Sequence, residues 1–428
     1  MSQSGTRKLD WQSKEMQARV RRRYVRERRF RRVGLGAVII AASFLAFLLF
    51  TITSNGIGGF RRAELALDLN YDPAILGIQA SDSSEEAAAT AVSRADFRPL
   101  LASAAQAQLG DSSLVSEGAW LAVRDQVVED PSLIGTTQRV WVVGAPNMDI
   151  LAKGQVDFDL APDRRGVSTA TVAAYRTLRE EGRIRLAFNS GFLTQADSTN
   201  SELAGIWGAL IGSILTMAIT LGISFPLGVM TAVYLEEYAP KNKLTDIIEV
   251  SINNLAAVPS IIFGLLGLAV FLNTFGMQRS APVVGGLTLA LMTLPVIVIS
   301  SRVALKSVPP SIRDAALGIG ASRLQVILHH LIPVALPGIL TGTIIGLSRA
   351  LGETAPLLLI GMRAFVSDVP EGVTEPATVL PVQIFLWSDE VGRGFVEKTS
   401  AAIMVLLTVL LSMNAVAIYL RNKFERRW

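Results

Sequence analysis

The chain has 428 residues, half of them hydrophobic and only 18% charged, with 40 lysines and arginines against 36 acids and a net charge of +4. That balance excludes an ordinary soluble globular protein and fits a polytopic membrane protein carrying some water-exposed mass. The absence of cysteine excludes disulfides and thiolate chemistry, and the only histidines, His329 and His330, are too few for a histidine metal site.

Residues 1–32 hold twelve basic side chains against three acids, and Val33–Thr53 then runs without a charge. A bilayer core needs about 20 such residues. The apolar run is longer than the roughly 7–15 residues of a signal-peptide core, and no small-x-small site closes it. The pattern predicts a basic cytoplasmic tail over 1–32 and an uncleaved transmembrane helix over 33–55. The basic residues crowd the membrane-proximal ends, so they point to topology and not to nucleic acid.

Residues 56–201 change character, with charges of both signs and scattered Gly and Pro. RVWVVGAP and RIRLAFNSGF read as short strands, and Val167–Gly182 as an amphipathic helix with Ser168 near its start. This is an α+β soluble insert of about 145 residues, long enough to bury its own core. Its polar opening, SDSSEEAAAT, reads as a flexible stretch. It contains no catalytic constellation.

Five apolar segments follow, near Ile206–Tyr234, Ile252–Leu272, Val283–Ser300, Leu336–Ile360 and Ala401–Leu420. Six spans in all would return the C-terminus to the cytoplasm. Charge agrees: the tail 421–428 has four basic residues to one acid, whereas Met362–Ser400 has three to six. The positive-inside rule places Ser311–Pro333, between the fourth and fifth spans, in the cytoplasm and the insert outside.

Ser311–Pro333 is too charged and glycine-broken to span a membrane. Ser311 with Asp314, and Ser322 with Gln325, have capping-box spacing, which predicts two short helices, Ile312–Leu317 and Arg323–Ile332, hinged at Gly318–Gly320. Leu324, Ile327, Leu328 and Leu331 form one apolar stripe. Such a pair suits docking into a groove on another protein, or lying on lipid.

The stretch DAALGIGASRLQVILHHLIP resembles the EAA loop of ABC-transporter permeases. Asp314, Ala315, Ala316, Gly320, Ile332 and Pro333 fall on its pattern, with Asp in place of Glu, while His330 departs from it. The resemblance implies a coupling helix seated in a cleft of the nucleotide-binding subunit, with Asp314, Ala315, Ala316, Gly320 and Pro333 as coupling residues. VPSIIFGLLGL and SRALGETAPLLLIG resemble the PstA family of phosphate permeases. The likeness covers about 203–422, and the insert resembles, more loosely, that of longer family members. It implies an all-α polytopic protein with six transmembrane helices and a type I (MetI-like) importer core over 202–420. It further implies a bacterial inner-membrane location, phosphate as substrate, and three kinds of partner: a PstC-like second permease, a PstB-like ATPase dimer and a PstS-like phosphate-binding protein.

Arg349 falls near the middle of Leu336–Ile360, where a buried arginine is costly and normally marks a pathway. Glu353 lies one helical turn on and can pair with it when substrate is absent. A guanidinium offers two hydrogen bonds to phosphate oxygens, and an exchangeable carboxylate keeps binding weak. The other reading of the pair is a permanent clamp between helices. Gly342, Gly346 and Gly352 thin the same span. Thr341, Thr343, Ser348 and Thr354 either line a path or bond helix carbonyls. Pro259 and Pro295 are expected to kink their spans, and Arg302 to anchor topology.

The sequence has no G-x-x-x-x-G-K-[ST] and no G-x-S-x-G, so energy must come from another subunit. No cofactor is called for. Sulfate and molybdate remain alternative substrates. From a different class, so does a membrane sensor with an extracytoplasmic ligand domain.

Overall fold

In a computed structural model, the structure describes residues 14–77, 92, 95–157, 161, 164–362 and 365–424; the stretch SDSSEEAAAT lies outside them. The chain divides into two compact units, Met1–Ser54 and Asn55–Trp428.

The described residues of the first unit form one helix, α1 (Lys14–Gly56), which ends two residues beyond it. No break separates the basic segment from the apolar one, so residues 14–32 continue the helix of the span. Arg and Lys are good helix formers, and nothing in RRRYVRERRFRR interrupts the ladder. None of the apolar window is buried, and a helix satisfies its backbone hydrogen bonds within itself, as lipid requires.

The second unit opens with β1 (Arg61–Asn70), the middle strand of a three-stranded antiparallel sheet ordered β2-β1-β3, with β2 at Thr137–Val143 and β3 at Ile184–Phe188. Leu65, Leu67, Leu69 and Tyr71 are fully buried. They pack with Phe97 and residues of α2 (Arg98–Leu109), α3 (Ala119–Glu129), α4 (Pro146–Ala152) and α5 (Thr169–Glu180). Ser168 caps α5 through the Thr171 amide. Both sequence-predicted strands and the helix form; β1 does not stand out because Ala, Leu and Glu favour helices, and only pairing on both edges makes it a strand.

The rest is helical: α6 (Trp207–Tyr238), α7 (Lys243–Ala256), α8 (Ser260–Thr274), α9 (Pro282–Lys306), α10 (Pro310–Gly318), α11 (Arg323–Gly352), α12 (Ala355–Leu359), α13 (Leu380–Asp389) and α14 (Arg393–Phe424). Among the described residues five helices are long and apolar enough to cross a membrane, α1, α6, α9, α11 and α14, while α7 and α8 form a pair bent by 100°. The expected third span, Ile252–Leu272, is therefore not one continuous helix. Pro259 lacks an N–H and keeps Val258 from helical geometry, so α7 stops and α8 restarts after it. Pro295, by contrast, sits inside α9.

Small residues let the helices close on one another. A side chain at Gly286 of α9 would overlap Ile219 of α6, and one at Gly342 of α11 would overlap Ser300 of α9. The sheet domain is pinned to the start of α14. Lys153, just past α4, is buried between Asp149 (2.6 Å) and Glu397 (2.8 Å), and Asp149 also accepts the Ala63 amide at 2.8 Å. Three charges so arranged satisfy one another out of water.

Candidate functional site

Arg349 is not mid-span. α11 ends at Gly352, and Glu353 already has extended backbone (φ −78°, ψ 121°). The expectation of a helix running to Ile360 fails at Glu353: Pro356 cannot donate to the Gly352 carbonyl and its ring crowds that carbonyl, and a new helix starts at Ala355. Arg349 thus occupies the last turn of α11, where its charge offsets the negative end of the helix dipole. Its side chain is 51% exposed and Glu353 19%, with Arg349 Nε donating to Glu353 Oε1 at 3.4 Å. The pair predicted from spacing exists, but across a helix end and not along a helix face.

A second break lies close by in the packing. Gly264 of α8 abuts Pro356 of α12, where a Cβ would come within 2.6 Å of the Pro356 Cα. The unit therefore sets one interrupted helix pair, α7/α8, against another, α11/α12. Discontinuous helices of this kind are where membrane transporters build substrate sites, because freed backbone and terminal charges face a cavity.

The other residues proposed for the path divide. Thr341 and Thr343 hydroxyls bond the carbonyls of Pro337 (2.7 Å) and Ile339 (2.9 Å) within their own helix. Ser348 donates to Asn414 of α14 at 2.7 Å. Gly342 and Gly346 meet Ser300 and Thr293 of α9, but nothing lies within 4 Å of a Cβ at Gly352.

The coupling segment differs from expectation in two ways. Ser311 makes no capping box, because α10 starts two residues earlier than expected, at Pro310 with Pro309 as its cap. Nor is there a separate second helix: Ser322 and Gln325 form the full capping box, and α11 then runs on through a π-wound turn, Ile327–Leu331, into the span. The apolar stripe consequently splits. Ile327 and Leu331 are buried at 2% and 1%, while Leu324 and Leu328 stay exposed with Leu317 and Ile319. Of the coupling residues, Asp314 and Ala315 are exposed, Ala316 is buried, Pro333 is half-buried, and exposed Gly320 turns the chain at φ +87°.

Sequence reasoning missed a cluster of carboxylates. Glu236 and Glu237, in a π-wound turn at the end of α6, hold Arg302 and Arg313, and Glu249 of α7 also reaches Arg302. Arg302 is a buried tie between helices, which goes beyond a topology anchor. Two acids directly after an apolar run, with arginines later in the chain, were the available signal. They read as loop residues.

Residues 224–428 match the family described as binding-protein-dependent transport system inner membrane component, and residues 17–161 match a domain of unknown function (DUF3333). The chain is 34% identical over 243 residues to the probable ABC transporter permease protein YqgI of Bacillus subtilis, covering 53% of this chain and 81% of that protein. It is 33% identical over 226 residues to the phosphate transport system permease protein PstA 1 of Mycobacterium tuberculosis, covering 52% and 72%. The chain belongs to the PstA family of ABC-transporter permeases. A further family member, PstA of Haemophilus influenzae, is 32% identical over 203 residues, with coverage of 47% and 70%. Among solved structures, a chain of the inward-facing MetNI methionine ABC transporter aligns at 20% identity with a TM-score of 0.39, covering 52% of this chain and 95% of that one. By family, this permease is a multi-pass inner-membrane transport subunit and not an enzyme.

Proposed function

We propose that this permease is one of two membrane halves of an ATP-driven importer of inorganic phosphate. It works with a PstC-like second permease, a PstB-like ATPase dimer and a PstS-like extracytoplasmic phosphate-binding protein. The bent pair α7/α8 counts as one span, which makes six. Both termini then lie in the cytoplasm and residues 56–201 outside, an arrangement supported by the basic bias of 1–32 and 421–428.

The observation that carries the reading is the Arg349–Glu353 pair set at a helix break. A phosphate oxyanion takes the guanidinium in a bidentate contact, displacing Glu353, and Glu353 reclaims it on release. At 3.4 Å, with the arginine half exposed, the pair holds loosely enough to exchange. A permanent clamp would bury both groups.

On the cytoplasmic side, 311–333 sits in a cleft of the ATPase. Exposed Leu317, Ile319, Leu324 and Leu328 supply the apolar contact, and Asp314, Ala315, Ala316, Gly320 and Pro333 shape it. ATP binding then swings the paired permeases from inward- to outward-facing.

Uptake of labelled phosphate by vesicles containing the assembled complex tests this, with excess sulfate and molybdate as competitors. ATP-dependent uptake that both competitors leave intact is expected. Equal competition by either would make the substrate a broader class of oxyanion.

A further inference from the structure

Glu236 and Glu237 tie three elements, α7, α9 and α10, to the π-wound turn of α6. Glu236 binds Arg302 Nε at 2.6 Å and Lys306 Nζ at 3.3 Å, both from α9, and Arg302 Nη2 reaches Glu249 of α7 at 2.5 Å. Glu237 binds Arg313 Nη2 of α10. Beyond that pair, α10 is held by Ala316, its one buried residue, and by half-buried Ile312, in a cluster with Ala232 of α6 and Ala304 of α9. Among the described residues, Arg313–Glu237 is the one ion pair joining α10 to a helix of the bundle.

We propose that Arg313–Glu237 is the transmission contact through which displacement of the coupling helix reaches the spans, with Glu236 and Arg302 passing it to α9 and α7. The proposal rests on the coupling role given above to 311–333. Three features carry it. Glu237 is only 10% exposed, so giving up its guanidinium would strand a nearly dry carboxylate, and the contact carries a pull instead of yielding. Next, Glu236 and Glu237 are chain neighbours, so a load on one moves the other. Finally, the turns Tyr234–Tyr238 and Ile327–Leu331 are both π-wound, and such turns are where helices accommodate functional shifts. These are positioning residues; none touches substrate.

The test uses the complete complex in proteoliposomes, carrying Glu237→Gln, Arg313→Gln, or the exchanged pair Arg313→Glu/Glu237→Arg. The ATPase should co-purify and hydrolyse ATP in all of them. Phosphate imported per ATP should fall about fivefold in each single variant, the scale of a lost coupling contact, and the exchanged pair should recover most of it. Unchanged import per ATP in the single variants overturns the proposal, as does an exchanged pair no better than the singles. Loss of ATPase co-purification would make the pair part of docking and overturn it equally.

A wild-type complex that imports no phosphate refutes the phosphate reading alone, and the relay is then read without substrate. The chain has no cysteine, so spin labels can be placed singly at exposed Ile319 and at exposed Met230 of α6. In wild type the distance between them should stay the same with and without ATP, because α10 and α6 move together. In Glu237→Gln, ATP should shift it. A variant whose distance ignores ATP overturns the relay.

Discussion

Gly342 of α11 lies against Ser300 of α9 with no space for even a methyl group, whereas the far end of the same helix, Gly352, has nothing within 4 Å of where a Cβ would stand. Two substitutions of one chemistry should therefore have opposite effects. Gly342→Ala forces the helices apart and should cost about 1–3 kcal/mol. Gly352→Ala should be neutral or stabilise by up to about 1 kcal/mol. Thermal unfolding of the detergent-purified protein measures both; equal shifts would contradict the close packing.

At Arg349, Arg349→Gln should abolish phosphate uptake while assembly with the ATPase survives, because a long pair with a half-exposed arginine contributes little to the fold. Arg349→Lys should rescue poorly, since a point charge lacks the planar fork. Glu353→Gln should also slow transport by removing the competitor that frees the anion. A structural clamp predicts otherwise: the double variant Arg349→Gln/Glu353→Gln would regain uptake, and that result would end the ligand assignment.

Gly320 sits at φ +87° with open space around it. A residue there is strained by backbone geometry alone, not by crowding. Gly320→Asn, which tolerates that geometry, should keep ATPase co-purification and uptake. Gly320→Val should lose about tenfold in uptake, in line with roughly 1–2 kcal/mol of strain. Similar uptake from both variants would remove the turn from the coupling argument.

Burial pushes the Glu202 carboxyl above its ordinary value, opposed in part by the Ser116 hydroxyl, which donates to it at 2.7 Å. The folded protein thus holds this proton more tightly than the unfolded chain does. Its contribution to stability is complete below the ordinary carboxylate pKa and is lost as pH rises through the raised one. Glu202→Gln is neutral at every pH, so its melting temperature should change less than that of wild type between about pH 5 and about pH 8. The same change in both proteins would show that Glu202 does not titrate as its burial implies.

Much of the bundle was readable because apolar length is nearly all that a span requires. Which prolines break a helix was not. Pro226, Pro295 and Pro337 lie inside helices, whereas Pro259 and Pro356 stand at breaks. The local rule is the same for all five; packing of neighbours around the freed carbonyl decides, and a sequence does not show neighbours. The spacing of Arg349 and Glu353 gave their pairing correctly for the wrong reason, since four residues bring two side chains together around a helix end as well as along a helix. The Glu236–Glu237 cluster stayed hidden because its arginines come from 66 and 76 residues further along the chain.

The strand order β2-β1-β3 constrains how the protein is made. β1 follows the first span directly, yet its second edge partner, β3, ends only at Phe188, and α6 begins at Trp207. On the proposed topology, the middle strand waits outside the membrane with an unpaired edge until nearly the whole insert has been translocated. Its closure then falls just before the second span reaches the translocation machinery. Unpaired strand edges invite aggregation while they last. A pause in synthesis or export between residues 143 and 184 would therefore harm this permease more than a pause anywhere in its helical half.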